Sequence, residues 1–275
     1  MGVTVDFERL ADLSRRIRAH TLRMVHKAKA SHVGTCLSMT DLLAVLYGEI
    51  LRVDPERPNR EDRDRFILSK GHGAAAIYAT LAERGFFPIS WLETYCCDGT
   101  RLAGHITHFH VPGVDASSGS LGHGLSLACG MALAGKRDRL PYRVFALLSD
   151  GECDEGSIWE AVLFAPHHRL DNLVALVDYN KIQSFGTVKE VLDLEPFADK
   201  WRAFGWGVQI DGHDHRQIYD ALNGVAFETG KPSVLVAHTI KGKGVSFMQD
   251  KLDWHYKSPD AAQLAQALAE LGVSA

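Results

Sequence analysis

The sequence predicts an α/β protein, a doubly wound and mostly parallel sheet with helices on both faces, and three observations carry that prediction. RVFALLSD (143–150) and NLVALVDY (172–179) are near-continuous apolar runs, as strands covered on both faces of a parallel sheet should be. Between them lies a helical segment, so 149–186 reads as one βαβ unit. Each run ends in polar residues, Asp150 leaving the first and Asn180 the second, at the sheet edge where open α/β folds bind ligands. The Asp150 carboxylate, the Asn180 amide oxygen and a free carbonyl at Ile182 suit a hard cation such as Mg²⁺, Ca²⁺ or Mn²⁺.

Taken in order, residues 6–30 space Phe7, Leu10, Leu13, Ile17, Met24 and Val25 as one face of a long amphipathic helix that stops before SHVGT. Ser38 with Asp41 three residues later has the form of a capping box, so TDLLAVLYGEIL should be a buried helix starting there. A charged loop, PERPNREDRDR, delivers a short strand, RFILS, and SKGHG (69–73) turns from it into the helix AAAIYATLAERG, closed by Gly85. Residues 98–124 are turn-rich and too long for an idle connection, which marks them as functional. GLSLACGMALAGK follows as a helix of small residues. After the βαβ unit come a strand at VQID, a helix at 215–229, a strand at SVLVAHTI and a final helix near 258–272. No repeat, linker or low-complexity segment divides the chain, so 1–275 reads as one domain whose first 60 residues are a helical approach to the sheet.

Composition removes several function classes. The chain has 275 residues, 46% hydrophobic, with a formal charge of −4. Its basic and acidic residues are interspersed, which argues against a nucleic-acid or anionic-membrane surface. Five cysteines without a CxxC spacing read as reduced thiols, with Cys96 and Cys97 expected as core residues at a helix end. There is no leader-like N-terminus and no apolar run long enough to span a bilayer, so a cytoplasmic protein is expected.

Four polar, glycine-bearing stretches stand after strands or in the long loop: SKGHG, AGHITH with GSLGHG, SDGECDEG and DYNKIQSFG. Glycine lets a backbone approach an oxyanion, and helix starts favour phosphate. Each alone is ordinary turn chemistry; together at one sheet edge they point to a diphosphate-plus-metal site.

With these motifs the chain resembles the N-terminal, diphosphate-binding half of the transketolase family, from KASHVG through LSKGHG, AGH, GSLGHG, SDGECDEG and NKIQ to WHY. The resemblance implies the thiamine diphosphate-binding fold, with Asp150, Asn180 and the Ile182 carbonyl on Mg²⁺. It further implies Gly151, Gly122, His72, Glu155, Asn180 and His255 at the cofactor, Glu155 near the junction of the two halves of the site. His32, His105 and His255 match the family's channel histidines, and imidazole suits a group that must donate and accept protons near neutrality. Departures from the family pattern lie at Ser149, at ASHVG, at His123 in GSLGHG and in the continuation GHITHFH, so the usual pentose-phosphate substrates are not implied.

The remaining histidines, His20, His26, His167, His168, His213, His215 and His238, read as structural or exposed. His105, His108 and His110 have a spacing that zinc could use, but no cysteine or carboxylate set accompanies them. His108 and His110 could line the channel, and Lys241 and Lys243 could meet phosphate or be solvated. The resemblance stops short of the family's pyrimidine-binding domain, so it implies a partner chain carrying that domain, an α2β2 assembly and transfer of a two-carbon ketol unit from a ketose to an aldose. The alternatives are a 2-oxo-acid dehydrogenase or deoxyxylulose-phosphate-synthase-like thiamine enzyme, and a non-catalytic cofactor-binding scaffold subunit; the SHVG, GHG, AGH and WHY set favours transketolase.

Overall fold

Five parallel strands form the sheet that the apolar runs predict, in a computed structural model that describes residues 5–274. The start of the N-terminus read as leaderless, 1–4, and the last residue, Ala275, lie outside the described residues. In chain order the elements are α1 (Phe7–Ala28), α2 (Val33–Ser38), α3 (Thr40–Val45), β1 (Arg65–Leu68), α4 (Ala74–Glu83), α5 (Gly124–Arg137) and β2 (Val144–Ser149). Then follow α6 (Gly156–His167), β3 (Leu173–Tyr179), α7 (Val188–Val191), α8 (Phe197–Ala203), β4 (Gly207–Asp211), α9 (His215–Asn223), β5 (Ser233–His238) and α10 (Ala261–Glu270). The strand order is β1-β2-β3-β5-β4, so the chain steps inward through β3, leaves for the edge at β4 and returns.

Strand side chains alternate between two buried layers, which is why the runs are apolar throughout. Phe145, Leu147, Val174, Leu176 and Leu235 pack on one face, in the layer with α1–α4, α9 and α10. Val144, Ala146, Leu148, Ala175, Val177 and Val234 pack on the other, with α5, α6 and α8. The small residues of α5 serve this packing: a Cβ at Gly135 would fall 2.6 Å from the Tyr142 ring.

Four expectations are corrected here. Ser38 caps nothing: it ends α2 and its hydroxyl donates to the Thr35 carbonyl and to Asp178, while α3 begins after Met39 with no side-chain cap. The helix over TDLLAVLYGEIL changes to a π-turn at Leu46–Ile50, and that at 215–229 stops at Asn223. Cys96 and Cys97 are exposed, because the preceding turn, Ile89–Thr94, is a short 3₁₀ helix that buries Leu92, and Tyr95 then turns inward.

Asp41 is claimed by long-range partners instead. Arg18 donates to both its oxygens, at 2.9 and 2.7 Å. The Ile240 N–H donates to Nε2 of His213, so Nδ1 carries the proton and donates to Asp41 at 2.7 Å. His215 Nε2 lies 3.4 Å away. Burial disfavours the ionised carboxyl, but Arg18, His213 and His215 together more than offset it and hold its pKa well below the usual range. Ionised Asp41 thus stabilises the fold above the ordinary carboxylate pKa of about 4, and that contribution is lost as the pH falls through the depressed folded value. Asp41→Asn is expected to lower the thermal midpoint at neutral pH, with a gap from wild type that narrows below about pH 4. A gap that stays constant down to pH 3, measured by scanning calorimetry, contradicts the pairing.

Candidate active site

The carboxyl ends of β1, β2, β3 and β5 meet the long loop and the start of α2 around a cleft of about 250 Å³. Asp150, Gly151, Asn180, Ile182, His32, His72, His105 and His255 all line it. Gly122 and Glu155, also expected at the cofactor, do not. The Gly122 N–H is taken by the buried Glu152 carboxylate at 2.9 Å, and Glu155 is exposed with its Cβ side turned to Gly122.

Local backbone explains how the oxygens converge. Asp150 follows β2 directly; one of its oxygens accepts from the Gly151 N–H at 2.8 Å and the other from the Lys181 N–H at 2.5 Å, so the carboxylate bridges the ends of β2 and β3. Asn180 donates its amide N–H to Asp178 at 3.2 Å, which fixes which end of the amide is oxygen, and that oxygen accepts from the Ile182 N–H at 3.1 Å. A Cβ on Gly151 would meet the Gln183 side chain at 3.0 Å, so glycine is what lets the two turns close on each other.

Beneath these oxygens lies a buried ion pair absent from the sequence reading. Lys70 and Asp178 are paired and fully buried; Lys70 also donates to the Thr35 hydroxyl at 2.9 Å, and Asp178 accepts from Ser38, Thr239 and Asn180. An acid in the otherwise apolar run NLVALVDY was the available signal, since a buried carboxylate needs partners. Lys241, left open between phosphate and solvent, is buried in the cleft, donating to the Ile182 carbonyl at 2.9 Å and to Nδ1 of His255 at 2.8 Å. Lys243 instead sits on the neighbouring loop, where its carbonyl accepts from Arg18.

The imidazoles form a cluster. The His32 ring centroid lies 4.9 Å from His72, 5.0 Å from His255 and 6.0 Å from His105. His32 adopts a left-handed backbone, φ 71°, at the start of α2, and its N–H donates to the His255 carbonyl at 2.7 Å. Burial, then His105 and Lys241, brings the His32 pKa down to about 4; burial, then Lys241, brings His255 to about 3; burial holds His72 well below its ordinary value. Neutral imidazoles therefore face the cleft at pH 7, and Lys241, lowered by burial to about 8, is the cation there. Because the Lys241 ammonium donates to Nδ1 of His255, that ring's proton is on Nε2. His108 is exposed, bonded to Ser117 and set against Phe109, and His110 is exposed at φ 59°, so the HITHFH histidines do not converge on one point.

The other histidines have structural partners or lie outside: His20 bonds Glu83, His26 the Pro259 carbonyl, and His167 and His238 are exposed. A larger recess of about 450 Å³ between α1 and α10 has its basic groups paired, Arg23 to the Ser274 carbonyl and Lys27 to Glu93.

The donor set fits a divalent cation with an anionic ligand. It offers a carboxylate, an amide and a carbonyl, all hard oxygens, and the Ile182 carbonyl already holds a cationic group. Burial, then the charge of Asp178, raises the Asp150 pKa to about 6, an environment that a nearby cation would relieve. Nδ1 of His32 is buried without a partner.

Comparison with known proteins agrees with this geometry. Residues 10–275 match the family model described as transketolase, thiamine diphosphate binding domain. The chain is 45% identical over 268 residues to a 6-deoxy-6-sulfo-D-fructose transketolase subunit of Clostridium sp. (strain MSTE9), covering 97% of this chain and 96% of that one. It is 42% identical over 259 residues to an apulose-4-phosphate transketolase subunit of Phocaeicola vulgatus, covering 94% and 92%. Among solved structures, transketolase from Campylobacter jejuni superposes with a TM-score of 0.92 at 27% identity, over 98% of this chain but 44% of that one. The chain thus spans less than half of a full-length transketolase while matching the named subunits nearly end to end. A parallel sheet whose strand ends gather hard oxygens and neutral imidazoles, matched over almost its whole length by the thiamine diphosphate-binding domain, makes this chain a member of the transketolase family.

Proposed function

We propose that residues 1–275 form one diphosphate-binding domain and serve as one of the subunits in a two-chain, thiamine diphosphate-dependent transketolase. The reaction is transfer of a two-carbon ketol unit from a ketose to an aldose. The observation that carries this reading is the convergence of Asp150, Asn180 and Ile182 with four imidazoles in one cleft. Asp150, Asn180 and the Ile182 carbonyl hold Mg²⁺, and Lys241, His72 and His255 face the diphosphate. Thiamine diphosphate, when bound, supplies the carbanion and the electron sink. The chain's own part is to orient and protonate: neutral His32 and His255, together with His105, bind sugar hydroxyls and move protons at imidazole nitrogens. The two named relatives act on ketoses carrying a sulfonate or a phosphate, so we assign the donor here to ketoses with an anionic group.

The partner chain carries the pyrimidine-binding domain, in a cytoplasmic α2β2 assembly. Its support is the names of the relatives, which are subunits, and large apolar side chains left exposed on α5, α6 and the loop after Asn180. Leu163 is 62% and its chain neighbour Phe164 38% exposed on α6, Leu127 is 45% exposed on α5, and Phe185 is 84% exposed on the loop after Asn180. Apolar surface of this kind marks an interface. Leu163→Glu is expected to weaken assembly with the partner by about tenfold or more, read by sedimentation velocity, and unchanged assembly contradicts this docking face. Among the described residues no helix is long and apolar enough to cross a membrane.

Reconstitution tests the proposal. Mixed with its partner, Mg²⁺ and thiamine diphosphate, the chain should release carbon dioxide from hydroxypyruvate and join the remaining two-carbon ketol unit to an aldehyde, giving a ketose two carbons longer, with no activity from either chain alone. A pair that decarboxylates pyruvate and leaves the aldehyde unextended belongs with the 2-oxo-acid enzymes instead.

A further inference from the structure

One fully buried acid has no part in the mechanism above, yet it joins three of the four glycine-bearing stretches. Glu152 accepts at Oε1 from the Ser69 hydroxyl of SKGHG and from the Gly122 N–H of GSLGHG, and at Oε2 from the Ser149 N–H of SDGEC at 3.3 Å. These segments come from separate parts of the chain, and no backbone ladder joins the loop around Gly122 to the other two. The contacts around the carboxylate are tight. A Cβ at Gly124 would fall 2.3 Å from the Ser69 hydroxyl, and one at Gly122, which is already at φ +85°, would fall 2.4 Å from that of Ser157. Gly119 and Leu121, on the same loop, line the cleft opposite Ser149, Asp150 and Gly151.

We propose that Glu152 is a positioning residue for the cofactor: its carboxylate locks the 117–124 loop against the Ser149–Gly151 turn, so that both walls of the cleft are in place before thiamine diphosphate binds. This rests on the functional reading above. Glu152 touches no ligand itself, being closed off from the cleft by the groups it holds. Its effect is on preorganisation, since a loop that must be ordered during binding takes that ordering free energy out of the affinity. Without Glu152, the Ser69 hydroxyl and the Gly122 N–H would lose their common acceptor, and the loop would be tied down there only by Ser118 on the Leu68 carbonyl and Ser157 on the Gly122 carbonyl.

The test compares Glu152→Ala, Glu152→Gln and, as a control for general destabilisation, Asp64→Ala. Asp64 is equally buried and pairs with Arg52 and Arg143 at the other end of the same strands, where β1 and β2 begin. Thiamine diphosphate with Mg²⁺ is titrated calorimetrically into the full chain with its partner subunit present. Glu152→Ala should bind about 10- to 100-fold more weakly, the range seen when a group supporting a ligand is removed. Glu152→Gln keeps an oxygen for Ser69 and Gly122 but turns its NH₂ toward the Ser149 N–H, and should recover part of that loss. Asp64→Ala should melt earlier while binding as wild type does. Equal binding by Glu152→Ala and wild type, or an equal loss in Asp64→Ala, overturns the positioning role. Failure of the wild type to bind thiamine diphosphate overturns the functional reading, and this inference with it.

Discussion

Asp150→Asn should weaken combined binding of Mg²⁺ and thiamine diphosphate by at least about 100-fold, the upper end of what loss of a supporting group costs a metal site. Both carboxylate oxygens are already aligned, one by the Gly151 N–H and one by the Lys181 N–H. An asparagine must turn its NH₂ toward one of those donors, so the variant loses the negative charge and also sets two donors face to face. The remaining oxygens, from Asn180 and Ile182, are neutral and cannot replace that charge for a divalent ion. Calorimetric affinity unchanged from wild type would refute the assignment of Asp150 to the metal.

Lys70→Met is expected to destabilise the fold by about 3–5 kcal/mol, because it leaves the fully buried Asp178 without its cation. Burial alone would drive that carboxyl toward its neutral form, and Lys70, first among its partners, together with Ser38 and Thr239, holds its pKa below the ordinary value. The same change frees the Thr35 hydroxyl and perturbs the acceptor that orients the Asn180 amide. A fall in cofactor affinity should therefore accompany the fall in unfolding free energy measured in urea. A loss below about 1 kcal/mol, the level of an exposed ion pair, contradicts the role given to Lys70.

How far the site could be read from sequence depends on whether its contacts are local. β2 and β3 were legible because burial on both faces leaves no polar alternation, and Asp150 and Asn180 stood out because each directly follows such a run. The histidines were legible only through motifs, since nothing in the spacing of His32, His72, His105 and His255 tells that their rings gather within about 6 Å. Contacts between distant segments were hidden. Ser38 and Asp41 have the spacing of a helix cap, yet Asp178 and Arg18 take them, because a buried hydroxyl or carboxylate goes to the partner that best satisfies it. Lys241 looked like one of two loop lysines, and only the packing of β5's end against the turn after Asn180 buries it while Lys243 stays outside. Glu152 stands in a motif between more conspicuous neighbours, and its three donors come from segments that the sequence keeps apart.

The central claim is that this chain, with a partner, moves an intact two-carbon unit between sugars. The most direct measurement uses a ketose donor labelled with ¹³C at C1 and C2, an unlabelled aldose and the reconstituted pair with Mg²⁺ and thiamine diphosphate, followed by carbon NMR. Both labels should arrive together, still bonded, as C1 and C2 of the new ketose, and His255→Ala should abolish the transfer. Label that remains in the donor, or that leaves as carbon dioxide, contradicts the assignment.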